Sequence, residues 1–187
     1  MSSLLIAVGV IALIAFILVQ VYNKFVKNRN VVKDAWSNID VALKRRHDLI
    51  PNLVETVKGY ATHEKETFEN VVKARNAAMS ASGSGDINAQ IKAEGQLQQA
   101  LRSLFALREA YPDLKANQGF LDLQQKLDEI EVNLERSRRY YNGTVRENNT
   151  YGESFPAVLF AGMFNYQHFD YFEVEDAERE NISVSFN

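Results

Sequence analysis

Residues 4–21 are apolar and uncharged, with Gln20 as the one strongly polar side chain among them. At ~1.5 Å of rise per residue, a helix over 2–22 is about 30 Å long, enough to cross the hydrocarbon layer of a bilayer. The run shows no polar face, which suits lipid on every side better than a buried core helix. After Tyr22 the pattern changes. Between Lys24 and Met79 apolar residues recur at helical spacing, often in alternating steps of three and four: Val32, Ala35, Ile39, Ala42, Leu49, Leu53, Val57, Tyr60, Phe68 and Val71. Such a seam is used by helical bundles and coiled coils. Arg46 and Glu64 interrupt it. Pro51 lies within it, removing one backbone donor and crowding the carbonyl of His47, so a kink or break is expected there and a kinked continuous helix is preferred to a hairpin.

Residues 80–85 (Ser-Ala-Ser-Gly-Ser-Gly) read as a flexible loop, and Asp86 as an N-cap. A second helix should run to Ala110, with Ile87, Ile91, Leu97, Leu101, Leu104 and Phe105 on one side, ended by Tyr111-Pro112. Asn117 is the expected N-cap of a third helix carrying Phe120, Leu123, Leu127, Ile130, Leu134, Tyr141 and Val145, closed by Asn148, Asn149 and Gly152. Residues 155–164 are apolar and should form a short C-terminal helix. The tail from Asn165 mixes aromatic residues with acids, and residues 182–186 alternate like a strand. The expected fold is therefore all-α: a transmembrane anchor over 1–23, an antiparallel helical bundle over 24–164, and an acidic, aromatic tail over 165–187.

A secretory signal would begin with a basic region and end at a small-x-small cleavage site. Here only Met1, Ser2 and Ser3 precede the run, and Val19-Gln20-Val21 makes a poor cleavage site. The anchor is assigned to Leu4, Leu5, Ile6, Val10, Ile11, Leu13, Ile14, Phe16, Ile17, Leu18 and Val21. Lys24, Lys27, Arg29 and Lys33 follow it before the first acid, Asp34. This bias predicts an N-terminus outside and a domain on the cytoplasmic side of a bacterial inner membrane, with the lipid bilayer as a partner.

The net charge of −3 conceals a gradient. Residues 22–75 hold eleven Lys or Arg against seven acids, whereas residues 151–187 hold one basic residue, Arg179, against seven acids. The basic stretch beside the anchor suits anionic headgroups, and the acidic tail argues against nucleic acid as a partner. There is no cysteine, which excludes disulfides, thiolate zinc sites and thiol catalysis.

Motifs for chemistry are weak. His63-Glu64 lacks the second His of a zinc protease helix, since position 67 is Thr67. His47, His63 and His168 are too far apart in sequence to share a metal on one helix. Gly152-Glu153-Ser154 lacks the closing Gly and preceding strand of a nucleophile elbow. Gly83-Ser84-Gly85 has Asn88 where a dinucleotide loop needs its third Gly. No cofactor, metal or catalytic residue is expected. The acidic group Asp128, Glu129, Glu131 and Glu135 reads as a solvated face paired with Lys126, Arg136 and Arg138. Three features remain as interaction candidates. Lys44, Arg45 and Arg46 form a basic patch beside Pro51, and Trp36 serves more readily as a core anchor. The apolar residues Phe155, Phe160 and Phe164, with Val158, Leu159 and Met163, could cap the bundle, lie in the membrane interface or contact another subunit.

Several segments together resemble the LemA family: Ala35-Trp36-Ser37-Asn38-Ile39-Asp40-Val41, Leu43 to Val54 through Lys44-Arg45-Arg46-His47-Asp48 and Pro51-Asn52-Leu53, Val57-Lys58-Gly59-Tyr60-Ala61, Tyr111-Pro112-Asp113-Leu114-Lys115-Ala116-Asn117, Arg139-Tyr140-Tyr141-Asn142 and Phe155-Pro156. The resemblance implies a bacterial membrane protein with one N-terminal span and a cytoplasmic helical bundle, in a family without an established enzymatic activity. The resulting expectation is a non-enzymatic scaffold that forms a homo-oligomer. The alternative is an adaptor for another membrane protein, such as a membrane protease.

Overall fold

The structure is a computed structural model and describes residues 2–172. Among these residues it is all-α, a long N-terminal apolar helix followed by a helical bundle. The elements are α1 (Ser2–Lys58), α2 (Lys65–Ser82), α3 (Ile87–Ala110), the single turn α4 (Pro112–Lys115) and α5 (Gln118–Glu153), followed by a 3-10 turn at Ala157–Leu159. The alternating pattern at 182–186 and most of the acidic tail lie outside the described residues.

Helix α1 is 57 residues long and continues through Pro51. The break falls eight residues later, at Gly59, where the expected seam predicted a continuing helix. Gly59 is a weak helix former, Lys58 places a positive charge at the helix C-terminus, and Val57 O accepts from both Tyr60 N and Ala61 N as the chain turns. The other boundaries follow local chemistry. Asp86 accepts from Ala89 N at 3.0 Å and Asn117 from Phe120 N at 2.8 Å, as N-caps do. Gly85, at φ 75°, supplies the left-handed residue of the turn before α3. Tyr111 is held extended by the proline after it, so α3 stops, and Pro112 opens α4 where no N–H is needed.

The described chain forms two compact units. One comprises Met1–Ile39 and Glu135–Tyr171, and the other centres on Asp40–Leu134. In the first, the α1 face Val21, Phe25, Asn28, Val32, Ala35 and Ile39 is buried at steps of three and four. It lies antiparallel to the end of α5: Lys24 meets Glu147, Phe25 meets Tyr151, and Trp36 packs edge-on to Tyr141 with centroids 5.1 Å apart. Trp36 is thus a half-buried packing residue, as expected. In the second unit, Ile50, Leu53, Val54 and Val57 of α1 share one core with Phe68 and Val71 of α2, Leu97, Leu101 and Leu104 of α3, and Phe120 and Leu127 of α5.

Two expectations need correction. Asn148 and Asn149 lie inside α5 and do not close it; the helix ends at Glu153, one residue past the expected Gly152. Residues 155–164 do not form a helix beyond the three-residue 3-10 turn, because Pro156, Gly162 and a run of bulky side chains give little local support to one.

Candidate functional site

The basic triplet divides once it is placed on α1. Lys44 is exposed and pairs with Asp48 at 2.7 Å, one turn away, which holds the Asp48 carboxyl below its ordinary range; Arg45 is exposed beside it. Arg46 is buried. Its Nη1 lies 3.5 Å from Glu94 of α3 and 3.3 Å from Glu131 of α5. Arg46 Nη1 makes no hydrogen bond in either approach, so at this nitrogen the carboxylates act through charge. Arg46 therefore belongs to the interior and does not extend a surface patch. The correction has a simple cause: its helix position is a seam position, and two carboxylates from other helices compensate its burial.

His47 joins the same cluster. Its Nε2 stands 2.7 Å from Glu94 Oε1, with both side chains almost fully buried. Gln90, one turn before Glu94 on α3, is 1% exposed, and its Nε2 makes no hydrogen bond. Arg75 of α2 reaches the backbone, donating from Nε to the carbonyl oxygen of His47 at 2.8 Å. The cluster thus draws on α1, α2, α3 and α5 within one unit. A buried ionic group of this kind penalises every register of the helices except the one that pairs it. Among the described residues no three His, Asp or Glu side chains are grouped so as to hold a metal ion. His63 is exposed in the turn between α1 and α2. Glu64, which interrupted the seam, accepts from Tyr111 Oη at 3.1 Å, and this bond raises the Tyr111 phenol.

The other unit carries a second polar arrangement, unanticipated in the sequence. Asn149, buried on α5, accepts from Phe169 N at 3.2 Å and donates to Phe169 O at 2.8 Å, so one side-chain amide engages both backbone groups of one residue. Asn148 donates to Gln167 O at 2.9 Å, and Tyr141 Oη to Asp170 O at 3.0 Å. Burial, with the Asp170 charge second, pushes the Tyr141 phenol up to about 12. Gly152 lets the ring of Tyr166 lie against the helix: a Cβ there would stand 2.3 Å from the ring. The extended chain after residue 165 is fastened to α5 in this way. The sequence signal was a pair of poor helix formers, Asn148 and Asn149, inside an otherwise strong helical pattern.

Along the apolar run, residues 2–20 leave their large side chains exposed apart from the half-buried Leu18, with Leu4 at 70% and Leu5 at 71%, whereas Val21 is 4% exposed. Val21 and Phe25 form a small core with Ala157, against which Phe160, Phe164, Tyr151 and Tyr166 pack. Phe160 and Phe164 therefore face protein, while Phe155 is 80% exposed. Lys24 donates to Glu147 at 2.6 Å, which lowers that carboxyl, and lies over the Tyr151 ring. Nearby, a cavity of about 230 Å³ is lined by Tyr22, Phe25, Arg29, Asn148, Phe164 and Tyr166 among others.

The sequence model of the LemA family matches residues 35–186, most of the chain. Among curated proteins, the chain is 24% identical to the magnetosome protein MamQ of Magnetospirillum gryphiswaldense over 200 residues, covering 94% of this chain and 74% of that one. It is 23% identical to the protein LemA of Metamycoplasma hominis over 175 residues, covering 94% and 79% respectively. The magnetosome protein MamQ 2 of Paramagnetospirillum magneticum is 24% identical over 198 residues. With the family match extending over both compact units, the chain belongs to the LemA family.

Proposed function

We propose that this chain is a non-enzymatic, membrane-anchored helical scaffold that associates with copies of itself at the cytoplasmic face of a bacterial inner membrane. The observation that carries the reading is the continuity of α1. One helix long and apolar enough to cross a membrane begins at Ser2 and runs on, without a loop, into the packed helices. The exposed apolar residues of its first part are those that lipid would cover. A stiff connection holds each copy at a common height over the membrane, and confinement to a surface raises the effective concentration of any self-complementary face. The positive charge close to the anchor and the acidic composition of the tail are of opposite sign, which favours such contacts.

The test is cross-linking in native membranes with a lysine-reactive reagent, followed by sizing in mild detergent. The expected result is a ladder of multiples of one chain that survives solubilisation. A cross-link to a different membrane protein, with no ladder, would replace the scaffold with an adaptor. Particles of monomer mass at micromolar concentration, without any cross-linked species, would end the self-association reading.

A further inference from the structure

Residues 155–164 contain no charged side chain and are folded against the point where the apolar run of α1 ends. Ala157 is almost wholly buried with Val21 and Phe25, and the ring of Phe164 lies edge-on to Tyr22 with centroids 5.3 Å apart. Val21 is the last residue of the apolar run, so on the anchoring reading this segment stands at the height at which the span would meet the headgroups. Its inward side chains complete a small core. Its outward ones do not: Phe155 is 80% exposed, Leu159 67%, Met163 62% and Val158 47%. These four large apolar side chains sit on nine residues of chain, beside the end of a helix whose own exposed apolar residues suit lipid.

We propose that this segment is a second membrane contact, in which Phe155, Val158, Leu159 and Met163 enter the boundary between headgroups and acyl chains of the membrane that α1 crosses. The inference rests on the anchoring reading above. The occupant is lipid because the patch continues the exposed apolar surface of α1. The cations at this level, Lys24, Lys27 and Arg29, also suit anionic headgroups, while the segment contributes no acid between Glu153 and Asp170. A lone helical span lets the attached domain swing and rotate. A second contact at one side of the helix fixes the rotation of the whole unit about the membrane normal, so every copy presents the same face to its neighbours.

The chain has no cysteine, so single nitroxide labels report depth without background. The full chain with Leu159→Cys, Phe155→Cys, Leu13→Cys or Ser84→Cys is labelled, placed in vesicles containing anionic lipid, and measured for collision with oxygen and with a water-soluble nickel complex. Leu159 and Phe155 should favour oxygen, as Leu13 does, by several-fold over Ser84. If both match Ser84 while Leu13 favours oxygen, the second contact is wrong and the anchor stands. If Leu13 itself matches Ser84, the anchoring reading has failed and takes this inference with it. Protection of Leu159 from both reagents, with dipolar broadening that disappears on dilution with unlabelled chain, would assign the patch to a second copy and overturn the proposal.

Discussion

Arg75 donates from Nε to the carbonyl oxygen of His47 at 2.8 Å, and that carbonyl is the acceptor which Pro51 leaves without its helical partner. A proline inside a helix removes one N–H and orphans the carbonyl four residues earlier. Here a guanidinium from α2 takes its place, and α1 continues through Pro51 to Lys58. Arg75→Ala should cost ~1–3 kcal/mol, because it leaves a largely buried carbonyl unpaired. In a Pro51→Ala background the restored N–H would serve the same oxygen, and the loss should shrink. Urea unfolding of the four variants in detergent measures the coupling. Equal losses in both backgrounds would show that Arg75 stabilises the fold by some route other than this carbonyl.

The buried ionic cluster gives a sharper contrast. Glu94→Ala leaves Arg46 buried with only the half-exposed Glu131 as counter-charge, and should cost ~3–5 kcal/mol. Arg46→Met combined with Glu94→Leu removes both charges and should cost markedly less than Glu94→Ala alone. Lys44→Ala breaks an exposed pair on the same helix and should cost under ~1 kcal/mol. A Glu94→Ala loss as small as that of Lys44→Ala would mean that the cluster contributes nothing to holding the helices in register.

Fastening of the chain after residue 165 depends on two residues that form no part of the apolar seam. Asn149→Ala removes both bonds to the Phe169 backbone, and Gly152→Ala drives a methyl into the Tyr166 ring. Each should raise hydrogen exchange at the Phe169 amide by at least about tenfold, corresponding to ~1.4 kcal/mol, with α3 unaffected. Unchanged exchange at Phe169 in both variants would show that the segment is held by its apolar contacts alone.

What could be read in the sequence was whatever local chemistry decides. Asp86 and Asn117 cap the helices they were expected to cap, and Tyr111-Pro112 ends α3, because each acts on backbone groups within a turn of itself. The helix was expected to continue through Pro51 and does, but the means was not legible: the missing donor is replaced from a residue 24 positions away, which no local pattern reveals. Gly59 passed unnoticed because the apolar spacing continues across the turn it permits. The buried cluster was half visible. Arg46 interrupted the seam of α1, and Gln90 and Glu94 occupy α3 positions leading into the buried Leu97, Leu101 and Leu104. Matching an interruption on one helix to an interruption on another requires knowing which helices meet. The Asn148–Asn149 pair carried its signal as poor helix formers, but was taken for an end and proved to be an internal clamp.

Tyr141 supplies a pH dependence of defined sign. Its phenol is pushed up to about 12 by burial, against about 10 in the unfolded chain. Its folded-state pKa is raised, so its contribution is complete below pH 10 and is lost as pH rises through about 12. Across that window the unfolded chain releases the proton while the folded chain keeps it, and stability should fall by up to ~3 kcal/mol from this group. The ultraviolet titration of the native protein should differ from that of Tyr141→Phe by a phenolate appearing late, after the exposed tyrosines. A difference spectrum with its midpoint near pH 10 would place Tyr141 in water and contradict the buried contact with Asp170.

The last prediction concerns which side of the membrane holds the helices. Lys24, Lys27, Arg29 and Lys33 all follow the apolar run within a dozen residues. Lysine and arginine next to a span resist transfer across the membrane, so the bias predicts that α2 to α5 stay in the cytoplasm. Ser2→Cys and Ser84→Cys give single thiols at the start of α1 and in the exposed turn between α2 and α3. An impermeant maleimide applied to intact cells, with any outer membrane permeabilised, should label the first and spare the second; after lysis both should react. Neutralising the four cations to Gln while adding three Lys after Met1 should move the labelling of Ser84→Cys towards that of Ser2→Cys. The charge changes lie largely outside the packed core, so a folded domain should remain to be labelled, although Lys24→Gln gives up the pair with Glu147. Labelling of Ser84→Cys in intact cells carrying the native charges would put the bundle outside and dismiss the cytoplasmic scaffold. Labelling of Ser84→Cys that ignores the charge reversal would leave the orientation in place but assign it to something other than these four residues.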